Sequence, residues 1–238
     1  MENIVFKQAT EIIKIVREKQ CSCVDLLEAH LRQVGKYNNK INAIVTFDRE
    51  RARLQAKEAD LAISSRRELG PLHGLPITLK DNYDTEGLRT SKGSSRFMNY
   101  VPKRDATVVA RLRQAGAIIY GKTNLPFLGL DWQCKHPHFG RTNNPWNVSY
   151  TSGGSSGGAA AALASGFTSL EFGNDVAGSL RVPAHFCGVC AIRPTEMSVS
   201  DRGVSHAPGY PRCIRNLAMN GPMARSVQDL KLALAVIW

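Results

Sequence analysis

Three places in this chain carry side chains fit for nucleophilic chemistry. Lys80 closes a short apolar run, Ser155 and Ser156 sit inside GGSSGG, and Ser179 ends the turn Asp175-Val176-Ala177-Gly178-Ser179. A serine is a weak nucleophile until a base takes its proton, and a lysine becomes such a base once burial removes its charge. Glycines among the serines let backbone N–H groups approach a ligand, and successive N–H groups after Ala177-Gly178 can form an anion-binding nest. Each position also has a plain structural use. Lys80 could run its stem to the surface, and Ser179 could cap a helix starting at LRVPA. Between Ser155 and Ser156 the residue types alone do not choose.

Three other patterns compete for attention. Gly116-Ala-Ile-Ile-Tyr-Gly121-Lys122-Thr123 satisfies the phosphate-loop pattern, but its middle residues are themselves an apolar strand and Pro126 blocks a following helix. It reads as a chance match. The GGSSGG run also satisfies G-x-S-x-G, the nucleophile elbow, yet TSGG after NPWNVSY is a poor strand. The acid and histidine that the elbow needs would be Asp201 and His206, in an irregular segment. Cys134, His136, His138, His185, Cys187 and Cys190 have the chemistry of zinc ligands, but Cys187 and Cys190 read as buried thiols in an apolar strand.

The elements that must position the serines follow from periodicity. The loop at 152–158 runs into an alanine-rich helix at 159–164, then a short apolar run, then the Ser179 turn. Upstream, helices are expected over 8–19, over 23–36 from a Ser22/Asp25 start, and over 49–63, with a strand at 41–47. A buried strand at 77–79 leads into Lys80, Asp105 caps a helix of sequence ATVVARLRQAG, and 117–120 is a strand. Residues 187–192 read as a strand, 193–224 as irregular, and 227–237 as a helix begun by Ser226 and Asp229. Alternating helix and strand predicts an α/β fold, a mixed central sheet flanked by helices. One domain is expected over 1–238, with 1–69 as helical scaffold and 70–238 as catalytic core.

Composition narrows the class. The chain has 238 residues, 43% hydrophobic and 21% charged, with enough apolar content for a sizeable core. No apolar run is long enough to span a bilayer, and the N-terminus lacks the order of a signal peptide. Six cysteines scattered among six histidines read as reduced thiols in a cytoplasm. The net charge of +11 is spread along the chain without interleaved aromatics, which argues against nucleic acid and for a solvated surface or a complementary acidic partner.

The pieces together resemble the amidase signature family. GGSSGG followed by GNDVAGSLRVPAHFCGVCAIRPT is its core motif, and GPLHGLPITLKDN, DATVVARLRQAGAIIYGKTN, FGRTNNPWN and NGPMARSVQDLKLALAVI follow the family's order. The resemblance implies a Ser–Ser–Lys triad: Lys80 as base, Ser155 as relay and Ser179 as nucleophile. It also implies a cis peptide before Ser155, and an oxyanion held by the N–H groups of Val176, Ala177, Gly178 and Ser179. Asp175 and Arg181 would fix the turn. The implied reaction is amide hydrolysis through an acyl-serine on a small amide substrate, with no metal or organic cofactor. The family usually has Gly-Gly before the nucleophile, so Ala177 requires a negative φ. Family members run to about twice this length, which with the apolar end at Trp238 implies a missing C-terminal part. A complementary C-terminal fragment, a homo-oligomer or amidotransferase subunits are the partners this implies. The rival functions are a glutaminase-type subunit of a tRNA-dependent amidotransferase and an inactive truncated remnant.

Overall fold

The computed structural model describes residues 4–204 and 216–238. Helix α1 (Ala9–Arg17) turns its apolar side, Ile12, Ile13 and Val16, into the core. Helix α2 (Cys23–Ile41) begins as expected, the Ser22 hydroxyl accepting from the Asp25 N–H. Two more of its first amides, on Cys23 and Val24, donate to the Asp60 carboxylate of helix α3 (Arg49–Ser64). The helix outruns its expected end because its last turn is held from outside. The Asn38 side chain bonds Ala43 N, Ile44 N and Ile44 O, and Asn42 stops the helix in a left-handed conformation at φ 56°. Strand β1 (Ile44–Phe47) therefore starts later than periodicity predicts.

The α/β expectation holds, with the strands of the described residues in two three-stranded sheets and one two-stranded hairpin. In the first sheet, β2 (Pro76–Lys80) runs parallel to β3 (Ile118–Thr123) and β1 runs antiparallel to β3. Helix α4 (Thr107–Gln114) makes the crossover. Asp105 does not cap it: the carboxylate accepts from Glu86 N and pairs with Arg113, while Ala106 holds the cap position. Short strands β4 (Lys135–His136) and β5 (Gly140–Arg141) form the hairpin. Helix α5 (Gly157–Ala164) then leads to β6 (Leu170–Asp175), and helix α6 (Arg181–Cys187) to β7 (Cys190–Ala191).

Two readings of the segment after Ser179 need correction. Cys187 belongs to α6, which Gly188 ends at φ 70°, so only Cys190 and Ala191 form the strand expected over 187–192. The stretch read as irregular contains β8 (Met219–Ala224), buried throughout and paired antiparallel with both β6 and β7. Its Gly221 and Pro222 read as turn residues. Gly221 is there because a side chain would meet the Ile192 carbonyl at 2.2 Å. The two large sheets meet where β2 lies beside β6, with Thr78 Oγ1 donating to Glu171 Oε1 at 2.6 Å.

Helix α7 (Val227–Ile237) closes the described chain, capped by Ser226 as expected. Its buried Asp229 accepts from Ala9 N and Thr10 N at 2.9 and 3.0 Å, and so caps α1 from across the fold. Arg225 beside it donates to the carbonyls of Val5, Lys7, Leu163 and Thr168. These two side chains tie the first helix to the second half of the chain. Asp229→Ala leaves the N–H groups of Ala9 and Thr10 without their acceptor, the first of them buried, and is expected to cost about 2 kcal/mol in a urea melt.

Candidate active site

The loop at 152–156 packs so tightly that side chains are excluded where it turns. A Cβ on Gly154 would lie 2.6 Å from the Asp131 carbonyl, and one on Gly173 of β6 would lie 2.5 Å from Ser156 Oγ. The Gly154–Ser155 peptide is cis, as the motif implied. No strand precedes the loop; Thr151 makes only an isolated bridge to Asn143, which removes the elbow geometry. His206, the elbow's histidine, lies outside the described residues.

Lys80 ends β2 with its side chain wholly buried, so it does not run to the surface. Its Nζ lies 2.8 Å from Ser155 Oγ, 3.0 Å from Ser156 Oγ and 2.6 Å from Asn174 Oδ1. Burial lowers the Lys80 pKa to about 7, against the opposing fields of Cys134, Asp175 and Glu171. An amine in this position is neutral in a large fraction of molecules at physiological pH. Glu171, also buried, is pushed up to about 7 by desolvation despite its bond from Thr78.

The second turn is built around Asp175. Its carboxylate accepts from Gly178 N at 2.7 Å, Leu180 N at 3.0 Å, and Arg181 Nε and Nη2, each at 3.0 Å. Burial alone would raise the Asp175 pKa, but the Arg181 and backbone bonds outweigh it and hold the carboxyl at about 2. Ser179 does not cap α6: Leu180 holds the cap position, and the N–H groups of Leu180 and Arg181 turn onto Asp175 at 3.0 and 3.4 Å. Within the turn the positive φ falls on Gly178, at 102°, so Ala177 meets the condition its side chain imposes. Gly178, expected among the oxyanion donors, has its N–H turned onto Asp175.

The two turns are stitched together by Ser156 N, which donates to the Ser179 carbonyl at 3.1 Å. Lys80, Ser155 and Ser156 therefore form one hydrogen-bonded cluster, and Ser179 is joined to it through the backbone. Asn174 is the member that sequence reasoning missed. Its contact with Lys80 depends on β2 lying beside β6, which no local pattern reveals.

The rejected motifs have other occupations. Gly121, Lys122 and Thr123 lie inside β3. Lys122 Nζ donates to Tyr83 O, Thr85 Oγ1 and Thr90 Oγ1, and lies 3.7 Å from Asp81. His136 Nδ1 accepts from His138 N and Phe139 N, and its Nε2 meets Ser91 Oγ. Cys134 and Cys187 contact the carbonyls of Asn124 and Ser152. Among the described residues no three His, Cys, Asp or Glu side chains are grouped to hold a metal. A cleft of about 660 Å³, lined by Phe6, Arg32, Tyr37 and Trp146, opens at the far end of α5 and shares no residue with the serine cluster.

Residues 25–238 match the sequence profile of the Amidase family. The chain belongs to that family. It is 38% identical over 234 residues to the A subunit of Glutamyl-tRNA(Gln) amidotransferase from Carboxydothermus hydrogenoformans, covering 98% of this chain and 47% of that protein. It is 39% identical over 229 residues to Indoleacetamide hydrolase of Bradyrhizobium diazoefficiens, covering 96% and 44%. Its fold superposes, at a TM-score of 0.91 and 35% identity, on a solved chain from a vestigial protein complex that reveals the evolutionary origins of an s-triazine catabolic enzyme. That match covers 97% of this chain and 50% of the other. The amidase-family chain described here spans about half the length of the curated relatives it matches. Among the described residues no helix is long and apolar enough to cross a membrane.

Proposed function

We propose that this chain carries the serine centre of an amide-bond hydrolase, with Ser179 as nucleophile, Ser155 as relay and Lys80 as base. The observation that carries the reading is Lys80 Nζ, buried and 2.8 Å from Ser155 Oγ, beside the turn that bears Ser179. Neutral Lys80 draws the proton of Ser155, which draws that of Ser179 as its oxygen attacks the amide carbonyl. The N–H groups of Val176, Ala177 and Ser179 receive the oxyanion, the Gly178 N–H being held by Asp175. Ser155 returns the proton to the leaving amine, and water then cleaves the acyl-serine. Every step uses the chain's own residues.

The substrate is a small amide, and since the chain spans about half the length of its curated relatives, part of the acyl pocket comes from outside these 238 residues. The five described cysteines are free, in keeping with a cytoplasmic protein. A second reading, a glutaminase-type amidotransferase subunit, is favoured by the 38% identity to the Carboxydothermus amidotransferase chain. Glutamine hydrolysis that appears only on adding partner subunits supports that second reading.

The test is treatment of the purified chain with a fluorophosphonate, followed by intact mass and peptide mapping. One adduct, on Ser179, is expected. An adduct on Ser155 or Ser156 overturns the assignment of roles. No adduct on a chain shown by circular dichroism to be folded overturns activity of this chain on its own.

A further inference from the structure

We propose that Asn174 is a positioning residue: its Oδ1 pins one N–H of Lys80 and so aims the amine's lone pair at Ser155. The inference deepens the hydrolase reading and rests on it. Among the described residues Lys80 Nζ has three oxygen neighbours, and the shortest contact, 2.6 Å, is to Asn174 Oδ1. An ammonium donates to all three. A neutral amine keeps two N–H groups and one lone pair, so one neighbour must then become the donor.

Asn174 Oδ1 accepts only. Ser156 Oγ lies 3.5 Å from the Asn174 carbonyl and donates its proton there, so it too accepts from Lys80. The remaining neighbour is Ser155, whose hydroxyl alone is left to face the lone pair. Asn174 thus does two things: its side chain orients the amine, and its carbonyl occupies the competing serine. The residue is 7% exposed, so water does not substitute for the amide oxygen.

Three titratable groups face Lys80, two of them on one strand and the third a thiol. Glu171 and Asp175 lie on β6, on either side of Asn174 along the strand, and Cys134 lies on the loop before β4. Asp175 is engaged by Arg181, and Glu171 by Thr78. Against that background Asn174 is a neutral acceptor in direct contact with the amine. A carboxylate in its place favours the ammonium.

The experiment titrates the ε-carbon resonance of Lys80 in 13C-lysine protein, assigned by its absence from Lys80→Met, and follows the fluorophosphonate rate at Ser179 across the same pH range. Asn174→Asp is expected to raise the Lys80 midpoint by at least about one pH unit, a tenfold gain in proton affinity, and to move the rate profile up with it. Asn174→Leu, close in volume, is expected to lower the rate at least about tenfold even at a pH where Lys80 is neutral. Asn174→Thr, which restores an acceptor, recovers part of the loss. Folding of each variant is checked by its thermal melt. An unmoved midpoint in folded Asn174→Asp overturns the proposal, as does a wild-type rate in Asn174→Leu. A moved midpoint in a chain whose Ser179 never reacts overturns the hydrolase reading and leaves the Lys80–Asn174 contact standing.

Discussion

Lys80→Met will fold and will lose reaction at Ser179 by about 10²–10⁴-fold, the range a positioned base contributes. Methionine keeps the length and apolar stem of the buried side chain and removes the amine that contacts Ser155, Ser156 and Asn174. The wild-type rate should follow the neutral amine, rising through pH 7 because burial brings the Lys80 pKa to about 7; the variant should show no such rise. Stability supplies an independent check. Between pH 7 and about 10.5 the unfolded chain binds a proton at Lys80 that the folded chain does not, so wild-type stability gains on the variant as pH rises through that window. Below pH 7 both states are protonated and the cost of burying the charge is fully present. Paired urea melts at several pH values read the trend, and a constant difference between the two proteins would show that Lys80 stays charged when buried.

The neighbours Lys80, Ser155 and Ser156 were legible as candidates because their signals are local. A lysine ending an apolar strand, a glycine-serine loop and a small-residue turn each declare themselves within a few residues, and their order carried the family resemblance. What escaped were features set by distant parts of the chain. Strand β8 hid behind Gly221 and Pro222, which a turn would also use; only its place between β6 and β7 makes it a strand. Asn174 reaches Lys80 across 94 residues of sequence, so nothing near either residue announces the contact. Asp105 looked like a cap, but Glu86 N and Arg113 claim its oxygens. Ser179 illustrates the opposite case: its position as a helix cap was plausible from sequence alone, and the competing carboxylate of Asp175, four residues earlier, decides against it.

That carboxylate is the second site of large effect. Asp175→Ala is expected to cost about 2–4 kcal/mol, because the N–H groups of Gly178 and Leu180 are left in a buried turn without their acceptor. The Arg181 side chain is 59% exposed and returns to water, so its lost ion pair adds little. The larger consequence is chemical. With Gly178 N–H released, the turn that bears the proposed oxyanion donors loses its anchor, and reaction at Ser179 should fall at least about 10²-fold, the scale of losing an oxyanion donor. The two effects separate through Asp175→Asn. Its amide oxygen still accepts from one backbone N–H, so it should recover much of the stability while leaving Leu180 or Gly178 unserved and Ser179 slow. Acid tests the same group. A carboxyl held at about 2 contributes stability above its unfolded pKa near 4, and loses it as pH falls from 4 through 2. Asp175→Asn should flatten that part of the profile, and an unchanged acid limb in the variant would show that the turn is held by something other than this carboxylate.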